Sequence, residues 1–304
     1  FLTAHAIFLL LLHLTKPGQA ERHKRQTDTK TINKYIFMTM KTEKRYHGVV
    51  VPMVTPVTRE GDIDVPAVER IVANMAEHGV SPLIMGTTGE GNSVSTRQGV
   101  MMIEAAKRVG GDRITVYAGL AGNCIEEQKL AARQFEAAGV DVIAATLPCY
   151  YALTPEQMYE YYKDMAEFLT VPLMLYNITI TTHMSIPLDV IERLSHHLNI
   201  VGLKDSENNV PRLQEALKLF ADREDFSYFC GCAANSAVAL KHGADGIVPS
   251  VGNYLPKMYQ DLYEAGVKGD EAKAEELQQL TTEIGKINTT GLTLGQSLAG
   301  LKVI

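Results

Sequence analysis

A lysine at the end of one apolar segment is the residue best suited to chemistry in this chain. Lys204 closes the run 200–203, which reads IVGL. Because burying an ammonium is costly, burial lowers the pKa of a lysine and makes its neutral amine nucleophilic. Such an amine attacks a ketone and forms an imine, which draws electrons from a neighbouring C–C bond. The alternative is a lysine that reaches solvent or pairs with Asp205, and the segment alone leaves both open.

Two other apolar segments end in groups that could assist this lysine. Tyr176 follows the run 172–175 (PLML), and the turn Gly86–Glu90 (GTTGE) follows the run 82–85 (PLIM). A phenol can move the protons that imine formation requires, and a glycine-rich turn can bind a carboxylate through its amides. A structural tyrosine and an ordinary turn are the alternatives. Together the three endings predict a Schiff-base lyase acting on a 2-oxo acid.

The elements that carry these residues follow a repeating pattern. From residue 46 onward, eight short apolar runs alternate with amphipathic segments, and the predicted strands are 48–54, 82–86, 114–119, 140–146, 172–176, 200–204, 226–230 and 246–250. Near-continuous apolar strands separated by helices are typical of a parallel sheet covered on both faces. Eight such units favour an α/β fold, a (β/α)8 TIM barrel. A doubly wound open sheet is the alternative, but no GxGxxG follows the first strand.

Helix boundaries agree with this order. Thr154 with Gln157 predicts a capped helix start after the fourth strand, and Asp64 and Asn209 are weaker signals of the same kind. Active sites of such barrels lie at the carboxyl ends of the strands. The lysine, the tyrosine and the glycine-threonine turn should therefore meet at one rim.

The domain limits expected from composition are a leader over 1–45, the barrel over 46–266 and a C-terminal helical extension over 267–304 that reads as cut short. The leader is expected to be disordered or non-native. Its apolar run 6–12 and basic stretch 16–34 suggest a secretory signal with residues 18–20 as the cleavage region. Upstream translated sequence, with a start at Met38 or Met40, is favoured because no basic segment precedes the apolar run.

Charge and composition exclude several classes of protein. The net charge is −6, but residues 1–47 carry +6, so residues 48–304 carry −12 and are unsuited to bind nucleic acid. The apolar run in the leader is too short to span a membrane. Four cysteines without a CxxC pair, and nine scattered histidines, predict neither a disulfide framework nor a metal site. A cytoplasmic protein without a cofactor, whose partner is a small-molecule substrate, is expected.

In these motifs the chain resembles the family of dihydrodipicolinate synthase and N-acetylneuraminate lyase. The similarity runs from about residue 47 to 288 and rests on the GTTGE turn, the YN pair at 176–177 and the GLKDS segment at 202–206. The resemblance implies a class I aldolase that cleaves or forms a C–C bond between pyruvate and an aldehyde. It also implies a homo-oligomer, either a tetramer or a dimer.

The resemblance assigns roles residue by residue. Lys204 would form the Schiff base and Tyr176 would relay protons. Thr87 and Thr88, with Gly86, would bind the pyruvate carboxylate. Residues of two further strand ends complete the implied site: Tyr150 in a hydroxyl relay with Thr87 and Tyr176, and Val248 through its backbone carbonyl.

Departures from the family affect the second substrate. The synthases continue YNxP with an arginine, whereas residues 176–183 here read YNITITTH. Cys149 replaces the first tyrosine of the PYY segment, and the loop 232–234 (CAA) lacks the acidic pair of the sialic acid lyases. A 2-keto-3-deoxy sugar acid is therefore the expected substrate, with His183 as a possible contact. Alternatives are 4-hydroxy-tetrahydrodipicolinate synthase, N-acetylneuraminate lyase, a dehydratase or decarboxylase that uses the same imine, and a barrel that binds a 2-oxo acid without turnover.

Overall fold

Eight parallel strands close into a ring in which each strand pairs with its neighbours in sequence and β1 pairs with β8. The structure, a computed structural model, describes residues 44–304. The strands are β1 (Gly48–Pro52), β2 (Ser81–Ile84), β3 (Tyr117–Leu120), β4 (Val142–Thr146), β5 (Leu173–Asn177), β6 (Ile200–Asp205), β7 (Ser227–Cys230) and β8 (Gly246–Ile247). The predicted (β/α)8 TIM barrel is confirmed. The predicted leader falls, up to residue 43, outside the described residues.

Helices follow the strands around the outside of the ring. They are α1 (Val65–Glu77), α2 (Thr96–Gly110), α3 (Ile125–Ala137), α4 (Pro155–Phe168), α5 (Thr179–Thr182), α6 (Leu188–Leu194), α7 (Val210–Leu219), α8 (Ser236–Lys241), α9 (Pro256–Val267), α10 (Glu271–Gly285) and α11 (Leu294–Leu301). Thr154 and Gln157 form the predicted capping box at the start of α4. Asp64 and Asn209 accept backbone hydrogen bonds at the starts of α1 and α7. Among the described residues, no helix combines the length and the apolar character needed to cross a membrane.

The core has two layers, because the strands are buried on both faces. The larger layer lies between strands and helices, and the smaller fills the inside of the ring with, among others, Val142, Ala144, Met174 and Phe229. Alternation along a strand sends successive side chains to opposite faces. A residue that follows an interior residue by two positions therefore also points into the ring. At the carboxyl end of a strand, such a residue lies at the rim of the barrel.

One strand departs from simple alternation. The register between β5 and β6 pairs Leu173 with Ile200 but Met174 with Gly202, so Val201 is an extra residue on β6. Such a bulge changes which face the side chains take. Val201 consequently packs against the interior layer and Ile200 against the outer one. Strict alternation back from Lys204 would place Ile200 on the interior face, and the bulge is the reason that it lies on the outer one.

The last strand is shorter than the predicted segment 246–250. Pairing stops at Ile247, and a 3-10 turn over Ser250–Asn253 follows. Pro249 has no N–H to donate to a neighbouring strand. The chain leaves the sheet before this proline, and Val248 turns into the interior layer.

Both ends of the described chain pack on the barrel. Lys44 donates from Nζ to Asp245 Oδ2 and to the carbonyl of Phe226, each at 2.8 Å, with both charged side chains nearly buried. At the other end, α10 packs beside α8 and α9 through small buried alanines, and α11 ends at the buried Leu301. Lys302 then pairs with Glu90, the last residue of the GTTGE turn. The C-terminal extension therefore reaches the rim where the site lies.

Candidate active site

Lys204 lies inside the barrel mouth and is only 3% exposed. It is the fifth residue of β6, where burial of its amine is the main influence on its charge. Burial lowers the pKa of the Lys204 amine from its ordinary value of 10.5, and the neighbouring Tyr176 opposes this shift only in part. An uncharged amine carries a free lone pair. Lys204 is therefore buried in the barrel mouth and does not reach solvent, and Asp205 lies on the opposite face, where it pairs with Arg212.

Tyr176 stands next to this amine. It pairs in register with Lys204, and the lysine Nζ lies 3.4 Å from the centre of the tyrosine ring. Its hydroxyl lies 3.2 Å from Thr87 Oγ1, a hydrogen bond in which either oxygen can donate. The phenol is therefore linked to one hydroxyl of the GTTGE turn while its ring contacts the amine.

The GTTGE turn is closed by hydrogen bonds within its own backbone. Glu90 N–H donates to the carbonyl of Thr87 and Gly91 N–H to that of Gly86, at 3.0 and 3.1 Å. Within the described part of the chain, no backbone acceptor is found for the amides of Thr87 and Thr88. Two adjacent amides without a backbone acceptor are suited to bind an anion, and the carboxylate site expected at this turn stays a prediction.

Tight packing holds the turn in place. Thr55, fully buried, donates from Oγ1 to the carbonyl of Gly89 at 2.5 Å. A Cβ atom on Gly119 of β3 would lie 2.3 Å from the carbonyl oxygen of Met85, closer than real contacts allow. Met85 also has a positive φ of 58°, a conformation that is strained for a non-glycine residue. The turn is therefore positioned by β3 on one side and by the segment that follows β1 on the other.

Val248, the predicted contact after β8, is buried in the interior layer. Its N–H donates to the carbonyl of Cys230 at 2.8 Å, which fixes the backbone at this strand end. The role of its own carbonyl stays a prediction.

Of the four predicted catalytic residues, Tyr150 is the one that lies exposed on the surface. Its side chain is 75% exposed, and its ring packs edge-on against Tyr151 at 4.8 Å between centroids. Asn123 Oδ1 accepts hydrogen bonds from the N–H groups of Cys149 and Tyr150 and holds the segment in this position. No hydrogen bond joins Tyr150 to Thr87 or Tyr176 within residues 44–304, so its place in a relay stays a prediction.

A small cavity, open to solvent, lies beside Thr87 and Tyr176. Its wall includes two further hydroxyl residues, Thr146 at the end of β4 and Thr181 on α5, and no lysine or arginine. Sequence reasoning missed both threonines. Thr146 could have been found, because it ends an apolar strand just as Tyr176 and Lys204 do.

A polar network on the outer face of β5 and β6 also escaped sequence reasoning. Asp205 accepts from Asn177 Nδ2 at 2.8 Å and from Arg212 Nε at 2.9 Å. Asn177 Oδ1 accepts from Ile186 N–H, and Arg212 donates to the Ile186 carbonyl. The network therefore fixes the two strand ends that carry Tyr176 and Lys204. It also ties down the loop that begins after β5.

That loop carries His183, which the sequence suggested as a contact for a second substrate. His183 is exposed, takes a left-handed conformation with φ of 58° and ends α5. Its place in the site stays a prediction.

Comparison with known proteins gives the same picture as the geometry. A model of the Dihydrodipicolinate synthetase family matches residues 45–295. The 4-hydroxy-tetrahydrodipicolinate synthase of Psychrobacter sp. strain PRwf-1 is 31% identical over 242 residues, covering 79% of each chain. The probable 2-dehydro-3-deoxy-D-pentonate aldolase YjhH of Escherichia coli K12 is 28% identical over 247 residues, covering 80% of this chain and 82% of that protein.

A solved structure of similar architecture is the dihydrodipicolinate synthase of Aquifex aeolicus. It is 27% identical, has a TM-score of 0.75, and the match covers 81% of this chain and 84% of that one. The family match spans most of the chain and includes the strand ends that carry the lysine, the tyrosine and the glycine-threonine turn. The chain therefore belongs to the dihydrodipicolinate synthetase family and is a lyase.

Proposed function

We propose that this protein is a Schiff-base-forming aldolase that joins or separates pyruvate and an aldehyde. The observation that carries the proposal is the buried Lys204 amine in contact with Tyr176, which is itself linked to Thr87. The names of the relatives, a synthase and an aldolase, support this class of reaction. The covalent imine takes the place of a separate cofactor.

Binding begins at the GTTGE turn. The amides of Thr87 and Thr88 receive the carboxylate of the 2-oxo acid, which brings the adjacent ketone to the neutral Lys204 amine. Attack gives a carbinolamine after the proton moves from nitrogen to oxygen. Tyr176 then protonates the departing hydroxyl, so that water leaves and an iminium and a phenolate remain.

Cleavage uses the iminium as an electron sink. The C3–C4 bond breaks, its electron pair forms the enamine, and the C4 hydroxyl proton passes to the Tyr176 phenolate as the aldehyde forms. Tyr176 returns that proton to C3, and hydrolysis of the new iminium releases pyruvate. Holding amine, phenol and carboxylate site at fixed distances contributes to the rate, because the reacting groups no longer have to be brought together.

The second substrate is proposed to be neutral and hydroxylated, which makes a 2-keto-3-deoxy sugar acid the substrate. The cavity wall beside Tyr176 offers hydroxyls and amides but no cationic side chain. The loop 178–187 after β5 likewise contains no lysine or arginine. A carboxylate-bearing aldehyde would find no ion-pair partner there.

A second candidate is 4-hydroxy-tetrahydrodipicolinate synthase, which condenses pyruvate with aspartate semialdehyde. The Psychrobacter relative carries this name, and the similarity to that protein favours this activity. The missing cation in the loop 178–187 weighs against it.

Two finer properties belong to the same proposal. We place the protein in the cytoplasm, which fits its four free cysteines.

We also propose a homo-oligomer, a dimer or a tetramer, because Tyr150, Tyr151 and Ile180 expose large apolar surfaces near the barrel mouth. Light scattering coupled to size exclusion measures the number of subunits, and a monomer at micromolar concentration contradicts this part.

The function is tested by trapping. Borohydride with pyruvate should add a reduced pyruvyl group to the peptide that contains Lys204, and Lys204→Met should abolish the adduct. A pyruvate-release screen over 2-keto-3-deoxy acids and N-acetylneuraminate, with condensation against aspartate semialdehyde, then identifies the partner. A folded protein whose Lys204 stays unmodified contradicts the proposal.

A further inference from the structure

A hydroxyl with no assigned role lies in the same layer as the lysine and the tyrosine. Thr146 is the last residue of β4, it pairs in register with Tyr176, and Tyr176 pairs with Lys204. Three neighbouring strands thus present Thr146, Tyr176 and Lys204 side by side. Neighbouring strands lie about 4.8 Å apart, so one small molecule can contact adjacent members of this row.

The direction of the Thr146 side chain follows from the strand. Val142 and Ala144, four and two positions earlier, belong to the interior layer, and alternation brings Thr146 to the same face. Thr146 is 8% exposed and lines the cavity together with Thr87, Tyr176 and Thr181. The residue is therefore nearly buried and still borders the space that a substrate would occupy.

The backbone of Thr146 is held from outside the barrel. The buried hydroxyl of Tyr161 lies 2.9 Å from the Thr146 carbonyl oxygen and 2.7 Å from Gln128 Oε1. A branched side chain on a fixed strand has few conformations. For the Thr146 hydroxyl itself, the described residues provide no hydrogen-bond partner, so it is available to whatever fills the cavity.

We propose that the Thr146 hydroxyl binds the oxygen on C4 of the substrate and selects substrates that carry a hydroxyl there. This inference rests on the proposed aldolase function and deepens it. In the bound iminium, Thr146 donates a hydrogen bond to the C4 oxygen, whose own proton points to the Tyr176 phenolate. When the C3–C4 bond breaks, its electron pair moves to C3 and the proton moves to Tyr176. The bond from Thr146 stabilises the negative charge that develops on the C4 oxygen.

The role is specific to the aldehyde half of the reaction. Formation of the pyruvate imine and enamine involves the carboxylate, the ketone and the methyl group, and none of these is the C4 oxygen. Loss of the Thr146 hydroxyl should therefore slow cleavage and condensation while leaving pyruvate chemistry intact. A residue that only supports the fold would affect both.

The experiment compares two variants of similar size. Thr146→Val removes the hydroxyl with little change of shape, and Thr146→Ser keeps it. Two rates are measured: cleavage of a 2-keto-3-deoxy sugar acid, and exchange of the pyruvate methyl protons in D2O. Circular dichroism and thermal unfolding verify that both variants fold.

We expect Thr146→Val to lower kcat/KM for cleavage by about tenfold to a hundredfold and to leave methyl-proton exchange within about twofold of the parent. Thr146→Ser should recover most of the cleavage rate. Equal loss of both rates, or unchanged cleavage, overturns the inference while the Lys204 adduct still upholds the aldolase. Absence of the pyruvate adduct in the parent protein overturns the proposed function itself, and the inference with it.

Discussion

The Nζ atom of Lys204 lies 3.4 Å from the centre of the Tyr176 ring, and the two residues are register partners on neighbouring strands. The face of an aromatic ring attracts an ammonium, whereas burial favours the neutral amine. Burial is the stronger influence, and the pKa of Lys204 is lowered overall. Burial therefore leaves the amine ready to attack, while the contact keeps the phenol beside it.

The lowered pKa of Lys204 predicts how imine formation depends on pH. The rate of trapping by cyanoborohydride at fixed pyruvate should rise with pH as the amine loses its proton. Its midpoint should lie below 10.5, the ordinary lysine pKa. Peptide mass spectrometry at each pH measures the adduct. A midpoint at or above 10.5 contradicts the assignment.

The same shift predicts that Lys204→Met stabilises the fold while it abolishes activity. Between the lowered pKa and 10.5, the unfolded chain binds a proton that the folded chain does not, so the stability of the parent rises with pH across this window. Methionine removes this penalty and should raise the free energy of unfolding at neutral pH by roughly 1–3 kcal/mol. Urea denaturation at several pH values measures the difference. A gain that does not shrink toward high pH argues against the amine as its source.

The hydroxyl pair of Tyr176 and Thr87 predicts a loss of rate without a loss of fold. Tyr176→Phe keeps the ring over Lys204 but removes the proton carrier, so methyl-proton exchange and cleavage should both fall by about 10²–10⁴-fold. Thr87→Val removes the hydrogen-bonded partner and should cause a smaller loss. Thr181→Val is the matched control, because Thr181 lines the cavity but is not linked to the phenol. Unchanged exchange in Tyr176→Phe contradicts the relay.

The network behind the site predicts a large cost for removing one charge. Arg212 and Asp205 are nearly buried, so Arg212→Met leaves the carboxylate of Asp205 without its cation. The free energy of unfolding should drop by about 3–5 kcal/mol. Adding Asp205→Asn should recover part of this loss. The exposed pair of Lys257 and Asp261 is the control, since Lys257→Met should change stability by less than about 1 kcal/mol.

The close contact between Gly119 and Met85 predicts that position 119 of β3 tolerates no side chain, because a Cβ atom there would displace the GTTGE turn. Gly119→Ala places a Cβ atom where the Met85 carbonyl lies. It should reduce stability by about 1–3 kcal/mol and weaken pyruvate binding by displacing the GTTGE turn. Gly300→Ala, at an uncrowded position in α11, should be neutral or stabilising by up to ~1 kcal/mol. Trapping rates against pyruvate concentration and thermal unfolding check both variants.

Periodicity and strand endings predicted the eight-stranded barrel and the meeting of Lys204, Tyr176 and the GTTGE turn. This was possible because a parallel barrel brings the carboxyl ends of all its strands to one rim. A residue that ends an apolar run is thereby placed in the site from local sequence alone. The helix starts at Thr154, Asp64 and Asn209 were also predictable, since a capping bond involves residues only three positions apart.

Only the tertiary structure decided which side chains touch. The bulge at Val201, the exposure of Tyr150 and the place of Thr146 in the cavity wall depend on strand register and on loop paths. These are set by packing between residues far apart in the chain. The bonds of Asp205 to Asn177 and Arg212 likewise join three separate elements. The sequence by itself determined the order of the elements and the residue types at the rim, because both follow from short-range patterns. The tertiary structure determined the distances between them, and hence the charge of the lysine, because burial is a property of the whole fold.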